Sequence, residues 1–596
     1  DLDTATPANP IALLPPAGFF DSLTFYGNGE RFEYFEKNTK NTYIYATDID
    51  FIWHLDSVKD RNGNTVTFTV NKTNRQITSI RDPANRIVTL AYDDKNLCTG
   101  FAVPDGRTVS FSYDENKNLI GITDMAGYKA SYQYDELGFI TQMNTAGRIN
   151  KFSYEERSGN EENDSGTKQA NDEKDKILVS VTNYQGKTTS YELLENNMGV
   201  QRTDPIGNKT TLSFNDGQTT QIKDPLGKIR SIEYNELKLP SSYTNSNSAK
   251  TKYTYDNRGN ILTITDALGN KTTLNYDNKD NMISKIDPLG NKWSYIYDSN
   301  SNLTGTATPL NYSTEANYFS NGRLKTFTDA NSKKTNYIYD AYGNITSITD
   351  PIGNIVYFFY GTAGLRCSNI TDQSGNNKEI SYDKNDRLLK VIYSSAPDSP
   401  SKMNTFNAFG QISFTDELGN STKIERNEFG YLTSMTDPLG FSVSTDYDSD
   451  NNPIKNVDAL GNATLKTYDK NGKLLTETNP LNKTSSRTYD NDGNLVSITD
   501  LIKGTTSFTY DSNNRLITTT YPMGETISTE RDALGRPSVF TNARGQKITY
   551  TYDKDGRTVA KEIEGRKETF TYDANGNLIQ RKDAWGTTTF AYNDIN

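Results

Sequence analysis

Polar clusters interrupt this chain at a regular beat, and between them stand short runs in which β-branched and aromatic residues alternate with Lys, Ser and Asn. Residues 255–276 serve as a specimen. Asp256-Asn-Arg-Gly259 is turn chemistry, because Asp hydrogen-bonds its local backbone and Gly supplies a positive φ. Residues 260–265 (N-I-L-T-I-T) then read as a strand. Asp266-Ala-Leu-Gly269 is a second turn, often with Pro at its second position in other copies, as type I and II turns prefer. Residues 271–276 (K-T-T-L-N-Y) read as another strand. Each unit is therefore a β-hairpin with two short strands and two four-residue turns. No window sustains a helical period, so the chain is predicted to be nearly all β.

The beat is a repeat of 21 residues. Asp-x-x-Gly turns stand at Asp204/Gly207, Asp266/Gly269, Asp287/Gly290, Asp350/Gly353, Asp437/Gly440 and Asp458/Gly461. Stations 245, 266, 287, 308, 329 and 350 are each 21 apart, and so are 416, 437, 458, 479, 500, 521 and 542. A second motif, Tyr-Asp-x-x-Gly, lies between them. Tyr234, Tyr255, Tyr276, Tyr297, Tyr318, Tyr339 and Tyr360 keep the same spacing, as do Tyr447, Tyr468, Tyr489 and Tyr510, with Tyr552 rejoining after one gap. About 24 units and about 48 strands follow from this count. Equal positions in successive hairpins lie about 9.5 Å apart, so each tyrosine row occupies one sheet face.

Composition then changes the picture of the core. Hydrophobic residues make up 33% of the 596. Counting the 42 Gly raises this to about 40%, still below the usual ~45–50%. The mean hydropathy of −0.75 and net charge of −11 would suit a disordered chain. The 38 Tyr and 25 Phe argue that it folds, packing Tyr and Thr where other proteins pack Leu and Val. No apolar run is long enough for a membrane helix. The acidic balance disfavours nucleic acid as a partner. About 48 strands exceed what a flat open sheet sustains. A propeller is disfavoured, because adjacent copies do not alternate and ~12 blades exceed the usual ~4–8. The prediction is a sheet that spirals into a hollow shell or tube.

Tyr489-Asp-Asn-Asp-Gly-Asn-Leu495 followed by Ile498-Thr-Asp500, recurring near every 21 residues, resembles the YD repeats of the Rhs/YD-repeat family. That family includes bacterial Rhs and wall-associated proteins, the shell of Tc toxins and the teneurins. The resemblance covers residues 60–596. It implies hairpins wound into a hollow shell that commonly encloses a toxic domain. No closing segment of the Pro-x-x-x-x-Asp-Pro-x-Gly-Leu kind is found, so neither an autoproteolytic site nor a payload is expected within these residues. The chain begins at Asp1 rather than Met, as a processed protein or a piece of a longer one would. Residues 1–59 are expected to be a β-rich lead-in, 155–176 a polar loop insertion, and 394–402 a smaller excursion.

Candidate chemistry is sparse. His54 is the only histidine, and no nucleophile motif accompanies it. Cys98 and Cys367 read as free buried thiols. One His and two distant Cys do not make a zinc site. Residues 446–452 begin like a calcium loop, but Asn451 and Val457 stand where an EF-hand needs Gly and Glu, so a drifted Tyr-Asp turn is expected. No catalytic, cofactor-binding or metal residues are assigned, and no enzymatic activity is expected. The expectation is an extracellular scaffold, secreted or at the cell surface, that encloses or carries a partner or toxin polypeptide. The alternative is a surface protein for adhesion, carbohydrate binding or filament formation. Partners would be an enclosed polypeptide, copies joined end to end, or surface glycans, with no nucleic acid and no membrane span.

Overall fold

The computed structural model describes residues 11–13, 20–26, 31–47, 52–156, 176–194, 198–394, 399–427, 429–500, 502 and 504–593. Most of the insertion expected at 155–176 lies outside them, as do parts of 1–59 and of 394–402. Among the described residues there are 54 strands, one 3-10 turn at Thr362–Gly364 and no α-helix. Every strand pairs antiparallel with the next one in the chain, from Ile11–Leu13 to Gly586–Thr589. The strand count exceeds the expected 48 because the segments before residue 60 join the same sheet.

The turns explain the sequence motif. In Asp266–Asn270 the Asp266 Oδ1 accepts the N–H of Leu268 (2.9 Å) and of Asn270 (2.8 Å). The Asn270 amide donates to Oδ2 at 2.9 Å. Gly269 closes the turn with its N–H on the Asp266 carbonyl at φ +86°, where an L side chain is strained. The same arrangement recurs at Asp256, Asp298 and Asp490 on the opposite edge of the ribbon.

The tyrosines answer a second need. At each Tyr-Asp turn the pairing slips by one residue: Thr254 faces Thr263 but Tyr255 faces Ile261. Such a bulge disrupts the hydrogen-bond ladder. The Tyr hydroxyl of the following hairpin donates to the carbonyl of the first residue after the slip, 15 residues back in most copies and 14 back at Tyr572. Examples are Tyr255 to Pro240 (2.7 Å), Tyr339 to Leu324 (2.9 Å), Tyr489 to Leu474 (2.8 Å) and Tyr552 to Pro537 (2.7 Å). Where the repeat has Arg531 instead, its guanidinium reaches the Leu516 carbonyl at the same interval, 3.0 Å away. The 21-residue tyrosine row is therefore a row of bonds stitching each hairpin to its predecessor.

The ribbon winds into a spiral, and its coils meet turn to turn. The Asp-x-x-Gly edge of one coil receives the Tyr-Asp edge of the next. Asn471 donates to Asp224 Oδ2 (2.7 Å) and Asn513 to Asp266 Oδ2 (2.7 Å), each across 247 residues. Asn575 donates to Asp329 Oδ2 (2.6 Å) across 246. Earlier, Asn385 donates to Asp124 Oδ2 (2.8 Å) across 261 residues, a span that contains the 155–176 insertion. One coil thus holds close to twelve hairpins. At ~4.8 Å per strand this is roughly 115 Å around and about 36 Å across.

The wall is one layer thick. The accessible surface is 35583 Å², against about 21,000 Å² for a compact monomer of 66.7 kDa. Only Ala316, Ile424 and Ala560 are buried hydrophobic residues among those described, and no large side chain is fully buried. Packed sheets lie only ~10 Å apart, so a coil this wide is hollow.

Two outcomes are expected. Tyr489→Phe leaves the Leu474 carbonyl unpaired and should lower local stability by about 1 kcal/mol. This is read as faster amide exchange in Leu474–Thr478 and Thr484–Tyr489, with Tyr489→Arg milder because Arg531 makes the same bond. Unchanged exchange in the Phe variant would refute the stitching role. The second concerns the seam, where burial, and then the neighbouring charges of Asp204 and Asp448, push the Asp450 carboxyl up to about 6 against the opposing charge of Arg202. Its folded value lies above the ordinary 3.8, so its contribution is complete below about pH 4 and is lost as pH rises through about 6. Asp450→Asn should therefore slow amide exchange at Asp204–Asn208 at pH 7.5 relative to the parent, with the gain vanishing at pH 4. A gain equal at both pH values would refute the assignment.

Candidate functional site

The groups that could perform chemistry are scattered. His54 is the second residue of the strand Trp53–Lys59, opposite Ala46, and is half-buried. The neighbouring Asp56 carboxylate accepts the Ser57 hydroxyl at 2.9 Å. Cys98 and Cys367 are free thiols, as expected, but half-buried rather than buried, because each stands at the rim of a bulge, facing Tyr92 and Tyr360 respectively. In the calcium-like stretch, Asp448 Oδ1 accepts the N–H of Asp450 and Asn452, and its Oδ2 takes the Asn452 amide. Its carboxylate therefore closes its own Tyr-Asp turn. Asp446 lies back on the strand and pairs loosely with Lys455 at 3.8 Å.

The repeat residues occupy two kinds of place. Tyr234, Tyr297, Tyr318, Tyr360, Tyr447, Tyr468 and Tyr510, with Tyr255, Tyr339, Tyr489 and Tyr552, share one sheet face and donate their hydroxyls to the carbonyls 15 residues back. Tyr276 lies on the same face, paired with Met282. Partial burial raises the phenol pKa of Tyr276, Tyr297 and Tyr510 above the ordinary value.

The turn residues hold the edges. Gly207, Gly269, Gly290, Gly353, Gly440 and Gly461 each end an Asp-x-x-Gly turn, with φ between 82° and 92°. Each donates its N–H to the carbonyl of the aspartate three residues back, at 3.0–3.1 Å. A Cβ added at any of the six would meet open space, so the backbone angle rather than crowding calls for glycine there. These glycines shape the turn and offer no side chain to a ligand. Their aspartates differ by position in the spiral. Asp204 and Asp287 are buried in the seam, Asp266 is half-buried there, and Asp350, Asp437 and Asp458 belong to the last-wound stretch of that edge. At Asp266 burial raises the carboxyl pKa, but the hydrogen bonds from Asn270 and Asn513 outweigh it and hold the group below 3.8.

Three surfaces remain for recognition. The first is the seam groove of about 1100 Å³, lined by Arg202, Asp204, Asp224, Lys228, Asp450 and Asn471. It is polar, unlike the apolar pockets that hold small ligands. The second is the enclosed interior. The third is the pair of open rims. In the seam, the apolar third residue of the Asp-turns (Ile206, Leu226, Leu268, Leu289) is 42–53% exposed. On the open edge its equivalents Leu418, Leu439, Leu460, Leu481, Ile502 and Met523 are 75–88% exposed. Sequence reasoning missed the seam residues Asn385, Asn471, Asn513 and Asn575. Their common signal is an amide at the third position of a Tyr-Asp-type turn.

No helix among the described residues is long and apolar enough to cross a membrane. A family model, RHS Repeat, matches residues 113–148, 234–271, 276–311, 319–355, 468–506, 489–526 and 552–588. Six of the seven segments begin on a tyrosine of the Tyr-Asp edge, so the family's repeat is in phase with the hairpin. No curated protein matches the chain by sequence. Among solved structures, the crystal structure of TcdB2-TccC3 matches with 13% identity and a TM-score of 0.60, over 89% of this chain and 37% of that one. A Photorhabdus luminescens Tc holotoxin pore matches with 12% identity and a TM-score of 0.59, over 91% and 38%. The likeness is one of fold, and the chain spans less than two fifths of the length of those proteins. The chain thus carries RHS repeats in seven segments, in phase with its 21-residue hairpin and Tyr-Asp turn.

Proposed function

We propose that the chain is the wall of a non-catalytic shell, secreted or displayed at a cell surface, that encloses or carries a partner polypeptide. The observation that carries this reading is the one-layer spiral, about 36 Å across, whose interior its own side chains cannot fill. The two solved proteins of similar fold belong to Tc toxin assemblies, which makes a toxin polypeptide the first cargo to test. With ~5 Å of side chain lining each wall, the bore is about 26 Å. A folded domain of 100 residues has a radius of gyration of about 13 Å and is wider than that. The cargo is therefore a small domain or an unfolded chain. Turn carboxylates such as Asp448 are used within their own turns, which suits a structural wall. A carbohydrate-binding face draws less support, because the tyrosine rows have their hydroxyls committed to backbone carbonyls.

The test is protease protection. A small cargo polypeptide with a protease site is co-expressed with the chain, purified with it and digested. Cargo in the intact shell should survive, and cargo in the Asn471→Ala/Asn513→Ala variant, whose seam lacks two inter-coil bonds, should be cut faster. Cleavage at the rate of free cargo in the intact shell would overturn the proposal.

A further inference from the structure

The turns that meet along the seam are of two kinds. Where the Asp-turn edge begins a turn with aspartate, the third residue of the facing turn is asparagine. Asp224 meets Asn471, Asp266 meets Asn513 and Asp329 meets Asn575, at 2.6–2.7 Å. Where that edge begins a turn with a neutral residue, the facing third residue is aspartate. Thr308 donates its hydroxyl to Asp555 Oδ2 at 2.8 Å. In the turn that begins at Asn245, the Ser246 N–H donates to Asp492 Oδ1 at 2.7 Å. One coil earlier, Asn385 donates to Asp124 and Arg366 pairs with Asp105. An ionised carboxylate only accepts, so each of these carboxylates has been given a donor. Two stations depart from the pattern. Asp204 faces Asp450, with Asn208 reaching Asp450 Oδ2 at 3.5 Å, and Asp287 falls opposite Leu534 by register.

The hairpins are near-copies of one another, and neighbouring turns stand only ~9.5 Å apart, so a coil could in principle close one hairpin early or late. The side chains at the seam oppose both errors. With one hairpin more per coil, Asp224 would face Asp492 and Asp287 would face Asp555. With one fewer, Asp224 would face Asp450, Asp266 would face Asp492 and Asp329 would face Asp555. The observed register thus holds one like-charge pair, and the slipped registers hold two and three. Contacts that repel in the wrong arrangement give specificity as surely as contacts that attract in the right one.

We propose that the seam carries a donor–acceptor code that admits each turn to one facing turn, and so sets the number of hairpins per coil and the width of the bore. One hairpin more or fewer changes the circumference by about 9.5 Å and the diameter by about 3 Å. The inference concerns the wall alone and stands whether or not the interior holds a cargo.

Two measurements test it. Asp492→Asn/Asp555→Asn removes both like-charge pairs from the longer register and gives it three Asp–amide pairs, Asp204 with Asn471 and Asp224 and Asp287 with the new amides. Electron cryomicroscopy should then show coils one hairpin longer beside coils of the parent size. The second measurement is amide exchange in the strands that flank one station, Gln218–Lys223 and Leu474–Thr478. Asn471→Asp sets a carboxylate against Asp224 and should speed exchange there about tenfold. Asp224→Asn/Asn471→Asp swaps the two letters and should return exchange toward the parent rate. Asparagine is accepted at the head of such a turn, since Asn245 Oδ1 takes the N–H of Asn247 and of Ala249. An unchanged strand signal in circular dichroism shows that the variants are folded. Coils of the parent size alone in the first variant, or a swap that exchanges as fast as Asn471→Asp, would overturn the proposal.

Discussion

The whole molecule depends on how one aspartate divides its two oxygens. Oδ1 of Asp266 gathers the backbone N–H groups of its own turn and so fixes the hairpin. Oδ2 holds the Asn270 side chain and also the Asn513 amide from a coil 247 residues later. Local geometry and long-range winding therefore share one carboxylate. A glutamate would carry the same charge, but its extra methylene would displace both oxygens from the turn. This explains why Asp and Asn, rather than Glu and Gln, dominate the stations.

With almost no buried hydrophobic residues among those described, the fold needs another source of cohesion. Here each hairpin touches its chain neighbours and, through its turns, an adjoining coil where the winding supplies one. Stability then accumulates as a sum of small neighbour terms, as in other repeat arrays. The tyrosine bond to the bulge carbonyl is one such term, and the paired hydroxyls of Thr467 and Thr476 (2.6 Å) or Thr488 and Ser497 (2.7 Å) on the opposite face are another. Removing one tyrosine loosens a local unit without exposing a common core, because the described residues form none.

Most of the fold was legible in the sequence because its rules are local. Asp-x-x-Gly and Tyr-Asp-x-x-Gly each report a turn within five residues, and the alternation between them reports strands. The tyrosine rows could be placed on one face from the period alone. The reason for those tyrosines could not be read, because the bulge that needs them appears only when strands pair. Nor could the pitch. Seam donors such as Asn471 and Asn513 are of the same residue type as the Asn that finishes many turns, such as Asn270 and Asn494, so nothing in their identity marked them. The rims depend on where the winding leaves an edge uncovered. Leu226 and Leu439 occupy equal places in the repeat and differ only in what lies above them.

The 246-residue return of the seam also acts as a clock. Hairpins form as the chain emerges, since each needs only its neighbour. A coil closes only when the chain one full turn later arrives. At ~5–20 residues per second of synthesis, that delay is about 12–50 s. Throughout that interval the young wall is a curved ribbon open along its length. Until the coil closes, the interior is open along its whole length, and afterwards it is reached from the ends of the spiral.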